Sequence, residues 1–192
     1  SSNPTAERLG EALGGPKAVE RFLINVVGIP AADVVVSRTS GLEFNRITPR
    51  GTVQLFRQLV EWLDERHLTP DAILPVAGVS LGTLHSRFTT GGMRGGIVGK
   101  TGTLPATDGG VSTLAGIVYT VDRGPVLFAI FNTKGPVATY RRLQDTLLKD
   151  LIADGHPGSV MTTGIALVEL PDAATLIPSA PVVTLKPTEI TF

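Results

Sequence analysis

The chain has 192 residues, 42% apolar and 18% charged, with 17 basic side chains against 17 acidic ones. That is enough apolar content for a buried core, which excludes wholesale disorder, and the balanced charge removes the bulk field that draws in nucleic acid or an anionic membrane. The absence of Cys excludes disulfides, zinc fingers and thiol catalysis, and the uncharged runs are too short for a membrane-spanning helix. Twenty-two Gly and 14 Pro point to many turns around short elements. The start at Ser1-Ser2-Asn3, without Met or a leader-like segment, reads as processed or truncated.

In chain order, Asn3-Pro4 opens a first helix over Thr5 to Leu13, with Asn3 as a possible cap. Gly14-Gly15-Pro16 ends it, and the helical spacing of Val19, Phe22, Leu23 and Val26 predicts a second helix up to Gly28, forming a hairpin. Val34-Val35-Val36 reads as a buried strand. Thr48 and Pro49 cap and open a third helix carrying Val53, Leu55, Phe56, Leu59, Val60 and Leu63 on one stripe. Leu74 to Gly102 is Gly-rich and aperiodic, an irregular segment with functional potential. Leu114 to Val121 and Val126 to Phe131 read as an antiparallel hairpin turned by Asp122-Arg123-Gly124-Pro125. A last helix follows over Val137 to Ala153, ended by Gly155. The Ala-, Thr-, Val- and Pro-rich stretch beyond has one possible strand, Gly164 to Leu170.

Three motifs compete for the chemistry. Gly78-Val79-Ser80-Leu81-Gly82 fits the G-x-S-x-G nucleophile elbow and offers Ser80 as an esterase nucleophile, with Asp150 and His156 as partners. That elbow needs a strand before it and a helix after it, and neither is legible here. Gly99-Lys100-Thr101 matches the end of a phosphate loop, but Arg94 stands where the first Gly belongs and no helix-forming run follows. The third reading takes Lys100-Thr101-Gly102 as K-T-G, with Ser1-Ser2-Asn3 as its S-x-N partner. His67, His85 and His156 lack ligand spacing and read as surface or capping residues; no metal or other cofactor is implied. Glu7 reads as support for the positive end of the first helix.

The order of these blocks resembles the penicillin-binding D-alanyl-D-alanine carboxypeptidases and endopeptidases of the low-molecular-mass class C type, which remodel peptidoglycan. Ser1 to Glu7 is similar to that family's S-D-N-x-x-A-E segment; Ser40-Gly41-Leu42 with Asn45-Arg46 is similar to the next block. Leu74 to Val79, Gly82-Thr83-Leu84 and Arg87-Phe88 resemble a third block, and Gly99 to Leu104 a fourth. The resemblance covers Ser1 to Asp154, so residues 1–154 read as the C-terminal part of a transpeptidase-like domain and 155–192 as an extension of unknown role. Arg38-Thr39, Glu43 and Ser80-Leu81 depart from the family pattern. So does the absence of S-x-x-K, since no Ser here has Lys three residues later. The nearest imitation, Thr146-Leu-Leu-Lys149, lies on a leucine-rich helix.

The resemblance implies an α/β (α+β) fold, an antiparallel sheet flanked by helices in the manner of serine β-lactamases and penicillin-binding transpeptidases. It implies a serine-type D-Ala-D-Ala carboxypeptidase acting through an acyl-enzyme, with Ser1, Asn3 and Lys100 catalytic and Thr101, Gly102 and Thr103 binding substrate. Ser1 would relay a proton and Asn3 would hold the substrate's amide. Lys100 would supply cationic field, and Thr103 N–H would form half of the oxyanion hole. The implied partners are a peptidoglycan stem peptide ending in D-Ala-D-Ala, β-lactams as inhibitors, and an N-terminal part of the same protein carrying the nucleophile, all outside the inner membrane. A non-catalytic binding or scaffold remnant of the same family is the alternative.

Overall fold

The computed structural model describes residues 2–42, 44–90 and 92–155. Its first helix, α1 (Asn3–Ala12), begins earlier than the sequence pattern suggests, because the cap is Ser2 and not Asn3: the Ser2 hydroxyl accepts from the Thr5 N–H at 3.4 Å and from the Thr5 hydroxyl at 2.9 Å. Helix α2 (Pro16–Asn25) starts on Pro16 and turns back against α1. Val34–Val35 (β1) pairs antiparallel with Arg46–Ile47 (β2), a partner the sequence does not announce. Together with Leu23, Ile29 and Val36, Val34 forms a small core that Val19, Ile24, Val27, Ile47 and Leu55 complete.

Helix α3 (Pro49–Asp64) is capped as expected, the Thr48 hydroxyl accepting from the Gly51 N–H at 3.1 Å. The segment that follows is irregular, but it ends sooner than the sequence suggests. Strand β3 (Ile97–Leu104) starts three residues before Lys100 and pairs antiparallel with β4 (Val111–Thr120), which pairs antiparallel with β5 (Gly124–Thr133). The sheet order is β3-β4-β5, with β3 on an edge. Helix α4 (Val137–Gly155) lies against β4, and α3 against β4 and β5, so the sheet is flanked by helices.

The main core sits between α4 and the sheet, where Leu148 and Ile152 meet Ile97, Leu114, Val118 and Phe128, with Ala77, Leu84 and Phe88 from the irregular segment. Ile97, Leu84, Leu114 and Val118 are fully buried, each side chain contributing about 1.5–3 kcal/mol by leaving water. A buried amide fixes α4 over this core. Gln144 donates to the Ser112 carbonyl at 3.1 Å, the Ser112 hydroxyl at 3.3 Å and the Asn132 side chain at 3.0 Å. Helix α4 includes Gly155, so the expected boundary between 154 and 155 falls in its last turn; His156 and the 156–192 stretch, with the strand expected at 164–170, lie outside the described residues. No helix among the described residues is long and apolar enough to cross a membrane.

Candidate active site

The site grows out of the β3 edge. The irregular segment doubles back along the first part of that edge: the Ala77 N–H donates to the Ile97 carbonyl at 2.9 Å and the Gly99 N–H to the Pro75 carbonyl at 3.1 Å. Ladder groups alternate in direction along a strand, so the N–H and C=O of Thr101 and Thr103 face the same outer edge as those of Ile97 and Gly99. The cover stops at Gly99. From Thr101 to Leu104 the outer edge meets no further strand among the described residues. A strand edge in that state can accept an extended peptide through its main chain.

Alternation along the strand also divides the K-T-G side chains. Thr101 and Thr103 share the α4 side with Ile97, whereas Lys100 and Gly102 project to the other. Lys100 is exposed as a residue, but its ammonium folds back onto the strand and donates to the Thr101 carbonyl at 2.5 Å in a part-buried contact. Partial desolvation there lowers its pKa from the ordinary lysine value. Thr101 is buried and donates its hydroxyl to the Thr83 hydroxyl at 2.6 Å, tying the strand to the Gly82-Thr83-Leu84 block. Thr103 is exposed, and its hydroxyl accepts from the Arg141 guanidinium of α4 at 3.1 Å. Gly102 lies hard against Thr113 of β4, and a Cβ there would run into the Thr113 hydroxyl. Gly at this position keeps the strand pair close.

Of the S-x-N residues, Ser1 lies outside the described residues, as does Glu43. Asn3 is exposed at the first turn of α1. With Ser2 capping the helix, the Asn3 side chain has no capping duty. No hydrogen bond joins Asn3 to Lys100 among the described residues.

Glu7 does more than complement the α1 terminus. Its carboxylate accepts from the Ser40 hydroxyl at 2.5 Å, the Thr39 hydroxyl at 2.9 Å and both backbone N–H groups at 3.3 Å. The Ser40 hydroxyl, foremost, and the other donors hold this carboxyl below the ordinary Glu value against a smaller opposing effect of desolvation. Gly10 packs directly on Thr39, and the Thr39 hydroxyl donates to the Ala6 carbonyl at 3.0 Å. The departure Arg38-Thr39 therefore serves a clamp between α1 and the 38–42 loop.

The competing motifs do not assemble. Ser80 sits in a turn whose own Val76 N–H donates to the Ser80 hydroxyl at 3.0 Å, and no helix follows it, so the elbow geometry for an esterase is missing. Gly99-Lys100-Thr101 lies within β3, which leaves no helix N-terminus to cradle phosphate. Thr146 and Lys149 are exposed on α4. His67 and His85 are exposed, His67 in a left-handed turn after α3 at φ 54°.

Sequence reasoning placed Thr83 and Arg87 in a resembling block without assigning either a contact, and it did not single out Arg141. Arg87 bonds Asp145 in an ion pair and donates to Gln144 Oε1 at 3.2 Å and to the Arg141 carbonyl at 3.4 Å, holding α4 against the loop beside β3. Arg87 stands in a recognisable block, but its partners lie more than fifty residues away.

A family profile settles the kinship: the D-Ala-D-Ala carboxypeptidase 3 (S13) family matches residues 5–147, well over half of the chain. The chain belongs to that family. The fold of this carboxypeptidase-family chain is similar to that of the predatory endopeptidase Bd0816 of Bdellovibrio bacteriovorus, solved with the immunity protein Bd3460, at a TM-score of 0.74 and 21% identity over 82% of this chain. It is similar also to the penicillin G-acylated endopeptidase Bd3459 of the same organism, at 0.73 and 21% over 83%. The chain spans 42% and 44% of the lengths of those two proteins. Comparison with curated proteins gives no match.

Proposed function

We propose that this chain forms the peptide-holding half of a serine-type D-Ala-D-Ala carboxypeptidase site acting on peptidoglycan stem peptides. One observation carries the reading: the outer edge of β3 is covered by chain up to Gly99 and meets no strand from Thr101 on among the described residues, where the K-T-G block stands with the Lys100 ammonium resting on the Thr101 carbonyl. An extended stem peptide pairs with that open edge, which fixes the register of its scissile bond. The outward Thr103 N–H is one donor of an oxyanion hole, and Gly102 keeps the strand free of side-chain bulk at the point of approach. Lys100 supplies positive charge beside the edge. Ser1 relays a proton and Asn3 holds the substrate's amide from the start of α1.

The nucleophile and its base belong to a Ser-x-x-Lys sequence, and none occurs in these 192 residues. We place it on polypeptide outside this sequence, preceding it in the same protein. The penicillin G acylation of one structural relative supports β-lactams as inhibitors of the assembled site, and a peptidoglycan substrate implies work outside the inner membrane.

Amide NMR of the chain titrated with a stem-peptide mimic ending in D-Ala-D-Ala tests the reading. Shifts concentrated at Thr101 to Leu104 are expected; a bound peptide that leaves those amides unmoved contradicts it.

A further inference from the structure

The K-T-G lysine is not the cation best placed to meet the end of a peptide lying on β3. Its ammonium is already engaged by the outward Thr101 carbonyl, and its side chain leaves the strand on the face opposite the Thr103 hydroxyl. Arg141 stands on the other side. Its guanidinium donates to the Thr103 hydroxyl at 3.1 Å, it is exposed, and no carboxylate pairs with it among the described residues. Arg87, which donates to the Arg141 carbonyl, differs in this respect because Asp145 pairs with it.

The position of Arg141 is fixed from beneath. Arg87 donates to the Arg141 carbonyl, and one turn further along α4 the buried Gln144 is bonded to Ser112 and Asn132. The guanidinium is therefore held over the open part of the edge by a helix that is itself pinned to the sheet. The Thr103 hydroxyl, accepting from Arg141, keeps its own proton free to donate. Two donors, one of them charged, converge on one spot beside the outward Thr103 N–H. That arrangement suits a planar anion such as a carboxylate, which a guanidinium fork engages through paired hydrogen bonds.

We propose that Arg141 recognises the free terminal carboxylate of the bound peptide and so determines specificity, favouring release of a C-terminal residue over cleavage within a chain. The proposal rests on the peptide-edge reading above and names the group that reads the peptide's end. Arg141 makes one side-chain hydrogen bond and is exposed, so its replacement leaves the fold intact, which the amide spectrum checks.

The test is a titration of the 192-residue chain with N-acetyl-D-Ala-D-Ala and with its C-terminal amide, for the native sequence, Arg141→Gln and Arg141→Lys. The native chain should favour the carboxylate form by about tenfold, the scale of one charge-assisted hydrogen bond. Arg141→Gln should bring the two peptides to near parity, and Arg141→Lys should keep part of the preference. Equal binding of both peptides by the native chain, or a preference that survives Arg141→Gln, overturns the assignment and leaves edge pairing standing. Failure of both peptides to bind overturns edge pairing and this assignment together.

Discussion

Replacing Gln144 by Met removes a buried carboxamide while keeping a side chain of similar length, and its effect can be worked out from the contacts. The Gln144 amide nitrogen shares its protons among the Ser112 carbonyl, the Ser112 hydroxyl and Asn132, and its oxygen accepts from Arg87. Gln144 is fully buried and Ser112 nearly so, so water cannot replace the lost partners at Ser112. The two amide protons and the oxygen make three hydrogen bonds at ~1 kcal/mol each, a loss of about 3 kcal/mol, and the buried Ser112 hydroxyl is left short of a partner. For a folded unit of this size the same loss lowers the melting temperature by roughly 6–12 °C. Urea unfolding followed by circular dichroism reads it as a lower midpoint at unchanged slope. Ser112→Ala combined with Gln144→Met should cost less than the sum of the single changes, because the stranded hydroxyl is gone. A loss below about 1 kcal/mol refutes the claim that this amide pins α4.

Glu7→Gln should flatten the acid limb of stability. The folded carboxyl titrates below its ordinary 4.5, so its stabilisation is present above that value and is lost as pH falls through the lowered folded value. Unfolding midpoints of both proteins between acid and neutral pH check this, and parallel curves contradict it. Lys100, with its pKa lowered, should carry more neutral amine than an ordinary lysine in mildly alkaline solution; acylation read by mass spectrometry should reach it at lower pH than it reaches the lysine of a short unstructured reference peptide. Simultaneous labelling contradicts that. Gly102→Ala drives a Cβ into the Thr113 hydroxyl and should cost about 1–3 kcal/mol, with Thr113→Ala restoring much of it. A Gly102→Ala chain as stable as the native one removes the packing reason for that glycine.

Local signals were the legible ones. Thr48-Pro49, the apolar stripe of α3 and the turn residues between β4 and β5 act within a few positions of themselves, and those elements stand where the spacing puts them. The start of β3 was hidden because Gly95, Gly96 and Gly99 mask a strand that is defined by its neighbours: Val98 pairs with Val76 on one side and Ile117 on the other. The helix cap moved from Asn3 to Ser2 because either residue can cap, and only the Thr5 hydroxyl contact distinguishes them. In the site, K-T-G was visible as a tripeptide. Its environment was not, since Thr83 meets Thr101 across 18 residues and Arg141 meets Thr103 across 38. Glu7 likewise looked like a dipole partner until the loop more than thirty residues on closed over it.

The proposed division of labour between a peptide-holding edge in this chain and a nucleophile outside it is tested most directly by intact-mass spectrometry of the 192-residue protein after incubation with excess labelled penicillin. An unmodified mass is the expected result, because no Ser-x-x-Lys is present to be acylated. A stoichiometric covalent adduct would contradict it, and its position would name a nucleophile within this chain.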